Sequence, residues 1–259
     1  MLGMEKDKES NSLDLGLNYD ENFFRYIEKG SLLSAKEIVP LVVRFLQPAS
    51  VVDVGCGTGA WLSVFKEQGI MDILGIDGDY VNLDSIFIPK EVFQSHDLTR
   101  PIDINKKFDL VVSLEVAEHL PSNCAETFIE SLTRLGPVVM FSAAIPYQGG
   151  QNHVNEQWQD YWRILFNKRG YEALDFIRKK VWDNPKVETC FAQNTLLYVH
   201  RDYMEANSTI KEECGKNSFP LSVVHPESYE RYVLLNNMSL KRTLTAMPRM
   251  ILDKIFQKI

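Results

Sequence analysis

The chain has 259 residues, 45% of them hydrophobic, with 28 basic residues set against 35 acidic ones for a formal net charge of −7. That length and balance suit one α/β domain with additions, and they exclude a disordered, collagen-like or low-complexity chain. The acidic balance argues against broad electrostatic capture of nucleic acid, so no nucleic-acid partner is expected.

In chain order, residues 1–18 are rich in Lys, Glu, Asp and Ser and read as a mobile leader without the apolar stretch of a signal peptide. From Asn22 to Leu46 an apolar face built on Leu32, Leu33, Ala35, Ile38, Val39, Val42 and Val43 predicts a helix, which Pro40 should kink or divide. Residues 19–48 are therefore expected to form an N-terminal helical lid, with Tyr19, Phe23 and Phe24 as candidates to cover a ligand. Strands are expected at Ser50–Val54, Asp72–Asp77, Val92–His96, Asp109–Leu114, Val138–Ala143 and Asn194–His200. Between them, helices are expected at Ala60–Gln68 (closed by Gly69), from Pro121 to Leu135, and from Glu156 to Arg169. Strands alternating with helices imply βαβ units and a mostly parallel sheet over residues 49–201.

Residues 202–259 read as a C-terminal extension, irregular over Pro220–Tyr229 and ending in a tail, 239–259, with five basic residues and one acid. The tail would fit loose contact with an anionic membrane or a partner protein, although a surface helix packed on the domain explains it as well. Cys56, Cys124, Cys190 and Cys214 are widely spaced and support neither a zinc site nor a disulfide framework, which suits a cytoplasmic protein with reduced thiols.

The most informative stretch is Val51-Val-Asp53-Val-Gly55-Cys56-Gly57-Thr-Gly59. A strand ending in glycines turns sharply and lets a ligand approach the backbone, and the next helix offers unpaired N–H groups. Gly55, Gly57 and Ala60 also fit a dinucleotide pattern, so an NAD(P)-dependent oxidoreductase stays open, as does a non-catalytic nucleoside-binding module. The acids tilt the balance. Asp53 would be a poor neighbour for a pyrophosphate, Asp77 with Gly78 after it suits ribose hydroxyls, and Asp97 with Leu98 suits an adenine. With Glu115 they ring the sheet edge with carboxylates, which fits a cationic, phosphate-free cofactor.

These segments, Val51–Gly59, Leu74–Asp77, His96–Leu98 and Asp109–Leu120, resemble the successive motifs of the class I S-adenosylmethionine-dependent methyltransferases over residues 31–200. The resemblance implies a Rossmann-like α/β fold, with a seven-stranded mostly parallel sheet, an antiparallel last strand and helices on both faces. It implies S-adenosylmethionine as cofactor, with Gly55, Cys56 and Gly57 against the methionine part and Asp53 near its ammonium. Asp77 and Gly78 would hold the ribose, and Asp97 with Leu98 the adenine. The segments Ile145–Trp158 and Val223–Glu230 are similar to a bacterial subgroup associated with polysaccharide or glycan modification, implying a sugar-type hydroxyl as acceptor.

Methylating a hydroxyl requires alignment and removal of its proton. Of five histidines, His153 is the preferred base, in a loop with Gly149-Gly150 freedom, and His119 stands behind it. His96 and His200 read as structural, and His225 as either. Trp158, Tyr161 and Trp162 fit a core stripe better than a sugar-stacking platform. No metal is expected, since Glu118, His119 and His153 would supply a site only if the fold brought them together.

Overall fold

The structure, a computed structural model, describes residues 21–216 and 220–234, with side chains from residue 30 onward. The expected leader, Tyr19, the side chains of Phe23 and Phe24, and the basic tail 239–259 lie outside the described residues.

The chain begins with α1 (Glu21–Leu46), β1 (Ser50–Val54), α2 (Ala60–Glu67), β2 (Asp72–Asp77) and β3 (Phe93–Ser95). It continues through β4 (Leu110–Leu114), α3 (Ala125–Leu135), β5 (Val138–Ser142), α4 (Gln159–Asn167) and β6 (Tyr171–Leu174). After these come α5 (Arg178–Val181), α6 (Thr189–Asn194), β7 (Leu196–His200), α7 (Arg201–Ala206) and α8 (Ser208–Cys214). Residues 220–225 are irregular as expected, whereas 226–234 are helical, which corrects the expectation of irregular chain for its second part, Pro226–Tyr229.

The seven strands form one sheet in the order β3-β2-β1-β4-β5-β7-β6. Every neighbouring pair from β3 to β5 is parallel, and β7 runs antiparallel to both β5 and β6. This is the expected Rossmann-like topology with the last strand reversed. All five positions of β1, β4 and β5 are buried, as central strands covered on both faces require. On one face Val51, Leu110, Val112, Val138 and Met140 pack with α1 and α2. On the other, Val52, Val54, Val111, Val139 and Phe141 pack with α3 and α4.

Three local expectations are narrowed or corrected. Of the two outcomes expected at Pro40, division does not occur: α1 runs through it with Ala35, Ile38, Val39 and Val42 fully buried around it, and that packing offsets the one backbone bond a proline removes. The helix expected from Pro121 opens as a 3-10 turn at Ser122–Cys124 before α3 begins. The helix expected from Glu156 begins instead at Gln159, because residues 154–157 spend their polar groups on the sheet edge. The amides of Val154 and Asn155 donate to the Glu118 carbonyl, and that of Gln157 to the Ala144 carbonyl.

Trp162 and Phe166 on α4 are buried core, with Trp162 at 5.3 Å from Phe141 between ring centroids. Trp158 is exposed ahead of that helix, so the three aromatic residues do not form one platform. Among the described residues, no helix is long and apolar enough to cross a membrane.

Candidate active site

The turn after β1 is fixed by backbone bonds from Gly55 and Cys56 to the Ile76 carbonyl, at 2.7 and 3.2 Å. Gly55 is left-handed (φ 84°), and a Cβ there would stand 2.3 Å from Val116 Cγ2, so only glycine fits between β1 and the segment after β4. Parallel strands deliver their loops to one edge. Here the loops after β1, β2, β3, β4 and β5 converge on a cleft of about 1350 Å³.

Its lining contains Gly55, Gly57, Asp77, Gly78, Asp97, Leu98, Glu115, His119 and His153, nine of the eleven residues singled out in the sequence. Asp53 and Cys56 do not line it. Asp53 lies beneath the turn, 2% exposed, with Oδ2 lacking a hydrogen-bond partner. Burial, reinforced by the charge of Asp77, holds its carboxyl well above the usual carboxylate range. The Cys56 thiol packs over Gly75 on β2, where burial pushes its pKa up, so the sulfur is turned into the core and away from the cleft.

Asp77 ends β2 and is already engaged. Its Oδ2 accepts from Gly57 N at 2.6 Å, its Oδ1 from Gly78 N at 2.7 Å, and the Tyr80 hydroxyl also donates to Oδ1. Asp97 accepts from the Thr99 amide and hydroxyl at 3.0 and 2.7 Å and pairs with Arg100 at 3.3 Å. Leu98 beside it is buried and presents an apolar wall.

Glu115 comes directly after β4 in a left-handed conformation (φ 54°). Its carboxylate accepts from Gln148 Nε2 at 2.7 Å and from Asn194 Nδ2 at 3.2 Å. One turn on, Glu118 is fully buried, and neither of its carboxylate oxygens meets a donor. The amides of Ala144 and of Glu118 itself and the Glu115 carboxyl lie close by, outside hydrogen-bond geometry. Burial, then the neighbouring Glu115 charge, pushes the Glu118 carboxyl well above its ordinary range.

The bonds from Val154 and Asn155 to Glu118 bring His153 onto His119, with ring centroids 4.8 Å apart at 83°. His153 Nδ1 sits 2.9 Å from Glu156 Oε1, and Glu156 is itself held by the amides of Tyr147 (2.8 Å) and Gly149 (3.0 Å). The Asn152 backbone lies beside the His119 ring, and burial, with His153 alongside as the second cause, lowers its pKa. One donor atom each from Glu118, His119 and His153 lies within 4.8 Å of the others. The fold thus makes the juxtaposition that a metal site on these residues requires.

A second cavity, of about 510 Å³, adjoins the first and shares Gly55, Glu115, His119 and His153 with it. Its walls include Trp61, Phe191 and Cys190 on one side, and Tyr147, Arg231 and Tyr232 on another. The rings of Tyr147 and Tyr232 are 5.4 Å apart. Nothing in the local sequence points to this cavity, because its walls come from segments spread between Ser31 and Tyr232.

The other histidines stand apart. His200 precedes α7 and its ring accepts from Asp202 N. His225, buried, reaches the Trp182 carbonyl at 2.9 Å and accepts from Glu227 N at the start of helix 226–234, so its role is structural. His96 borders the cleft with its Nε2 unpartnered.

A family model described as a methyltransferase domain matches residues 26–170. No curated protein matches the chain in sequence. Among solved structures, the chain is similar to S-adenosylmethionine-bound CalS10, an amino pentose methyltransferase from Micromonospora echinaspora. The TM-score is 0.53 at 13% identity, over 71% of this chain and 98% of that one. It is similar to the sugar N-methyltransferase KedS8 of a Streptoalloteichus species, with a TM-score of 0.51 at 14% identity, over 78% and 99%. It is also similar to human N-acetylserotonin methyltransferase in complex with S-adenosylmethionine, with a TM-score of 0.51 at 13% identity, over 69% and 55%.

Proposed function

The chain belongs to the methyltransferase-domain family, and from that premise we propose that it transfers the methyl group of S-adenosylmethionine to an oxygen of a small polar, saccharide-type acceptor. Family membership sets the dinucleotide alternative aside. The observation that carries the reading is the pair of adjoining cavities, which meet at Gly55, Glu115, His119 and His153. The larger one is lined by Asp77, which would serve a ribose, and by Asp97 with Leu98, which would serve an adenine. Asp53 lies buried behind the glycine turn, outside the lining, on the side where an ammonium would sit. The smaller one has aromatic walls and an arginine, which suits an acceptor with both an apolar face and polar substituents.

In this reading Gly55, Glu115, His119 and His153, shared by both cavities, would hold the methyl donor and the acceptor against one another. S-adenosylmethionine would supply a methyl group activated by positive sulfur, and His153, beside His119, would take the proton of the acceptor hydroxyl as the oxygen displaces that sulfur in line. Glu156 orients the His153 ring, and Gln148 with Asn194 holds Glu115 in place. The saccharide assignment is supported by the likeness to CalS10, an amino pentose methyltransferase, and to KedS8, a sugar N-methyltransferase. It is supported also by the glycan-associated subgroup that Ile145–Trp158 resembles.

Calorimetry with S-adenosylhomocysteine, and then mass spectrometry of candidate nucleotide sugars and glycans incubated with cofactor, tests this function. One binding event per chain and a product one methylene heavier are expected. No binding would remove the cofactor assignment, and methylation confined to amine acceptors would remove the oxygen assignment.

A further inference from the structure

We propose that Glu118, His119 and His153 bind a divalent transition-metal cation at the junction of the two cavities, where it holds and activates the acceptor hydroxyl. The proposal rests on the methyltransferase reading for its role in catalysis, and it replaces the base role given to the histidine pair above: the rings hold the ion, and the acceptor's proton leaves to water. The binding of the cation itself stands on the geometry alone.

Four observations carry it. A donor atom from each of the three residues lies within 4.8 Å of the others. Donors bound to one ion at about 2.1 Å stand no more than about 4.2 Å apart, so the set closes on an ion with a side-chain shift of roughly half an ångström. Glu118 is fully buried with neither carboxyl oxygen in a hydrogen bond, so a buried polar group faces the site without a well-placed partner.

The His153 imidazole is also oriented from behind, by Glu156 Oε1 at its Nδ1. That leaves this ring its second nitrogen, and it is the outer arrangement that metal-binding histidines use. Finally, Glu115 stands beside Glu118, so a cation held by Glu118 has a second carboxyl group next to it.

The donor set decides the class of ion. Two imidazole nitrogens and one carboxylate oxygen favour Mn2+, Fe2+, Co2+ or Zn2+ over Mg2+ and Ca2+, which prefer oxygen throughout. Three protein ligands leave further positions for water and for the acceptor. His119 and His153 border both cavities, so an ion on them touches the space of both ligands. The acceptor O–H, once on the cation, is acidified and gives its proton to water. The oxygen lone pair then forms the new C–O bond as the C–S bond breaks, leaving neutral S-adenosylhomocysteine. No oxidant or reductant enters, and the cation keeps its charge throughout.

The test is titration of the chelator-stripped full chain with Mn2+, monitored by loss of the free-ion electron paramagnetic resonance signal, and with Co2+, monitored by its visible spectrum. One ion per chain is expected, with affinity reduced at least about tenfold in both His153→Ala and Glu118→Gln. The Co2+ spectrum should change in His153→Ala. Glu118 is buried, so if Glu118→Gln does not fold, His153→Ala in its surface loop decides. Absence of stoichiometric binding, or wild-type affinity in His153→Ala, overturns the proposal. S-adenosylhomocysteine affinity, measured on the stripped chain, separates the two readings: its loss would count against the methyltransferase function, whereas its retention without ion binding would count against the cation alone.

Discussion

The Tyr80 hydroxyl donates to Asp77 Oδ1, the same oxygen that receives the Gly78 amide, while Oδ2 receives Gly57. Three donors thus occupy the carboxylate to which a ribose diol is assigned, and Tyr80 is the one that can leave, being mostly exposed. Cofactor binding therefore exchanges one hydrogen bond for another at this oxygen. Removing the donor in Tyr80→Phe is expected to tighten S-adenosylhomocysteine binding about fivefold, since a net hydrogen bond is worth roughly 1 kcal/mol. Asp77→Asn should act in the opposite sense, weakening it about ten- to a hundredfold, because an amide cannot accept at both ends. Calorimetry on both variants checks the pair, and equal affinities would separate Asp77 from the ribose.

Asp53 is expected to make cofactor binding depend on pH. Burial and the Asp77 charge raise its pKa in the unliganded protein, and a cationic ligand above it lowers that pKa again. Binding then releases a proton, so affinity should rise as pH rises toward the unliganded value. Titration calorimetry in buffers of different ionisation enthalpy reads the proton directly. Asp53→Asn should bind without the release, and a release that persists in the variant would point to another group.

Gly150 abuts the His153 ring: a Cβ at this position would stand 2.2 Å from Nε2. Gly150→Ala must therefore push the imidazole off His119 while leaving the glycine turn after β1 untouched. A misplacement of about 1 Å at a reacting centre costs on the order of a hundredfold in rate. Turnover is expected to fall by that much with S-adenosylhomocysteine affinity preserved, and steady-state kinetics on any identified acceptor reads the split. Unchanged turnover would detach His153 from the reaction.

Arg178 and Asp175, both buried, form a two-point ion pair at 3.0 and 2.7 Å, and Arg178 Nη1 also donates to the carbonyls of Gln193 and Leu221. Arg178→Ala strips a buried carboxylate of its cation and should cost about 3–5 kcal/mol of stability. Chemical denaturation checks this. A loss below about 1 kcal/mol would place the pair in effective contact with water.

The parts legible in the sequence are those governed by local rules. Val51–Gly59 is a buried strand with left-handed glycines after it, and it fixes both β1 and the turn without reference to anything distant. β2 and β4 are as plain, and their ends place Asp77 and Glu115 at the correct edge. β6 escapes because Tyr171–Leu174 is four residues long with only its ends buried, which leaves almost no periodic signal. Glu156 misleads for a physical reason: an acid ahead of an apolar stripe reads as a helix start, yet here it binds the Tyr147 and Gly149 amides and His153. Glu118 lies in a Glu-Val-Ala-Glu-His stretch that names ligand-type residues but not their convergence. Only the loop from β5, docking on its carbonyl, brings His153 alongside.

Reversal of β7 means that the segment leading into this strand, and not the one leaving it, arrives at the ligand edge. Gln193 and Asn194 reach Gln148 and Glu115 by that route, and Gln193 Oε1 in turn receives the His225 amide from the C-terminal extension. The second cavity, proposed above for the acceptor, likewise draws part of its lining, from Glu188–Phe191 and from Ser228, Arg231 and Tyr232, from chain beyond the family-matched region, 26–170. Segments grafted between relatives at 175–195 and 220–234 offer a way to retune which molecule is methylated while the nucleoside half stays as it is.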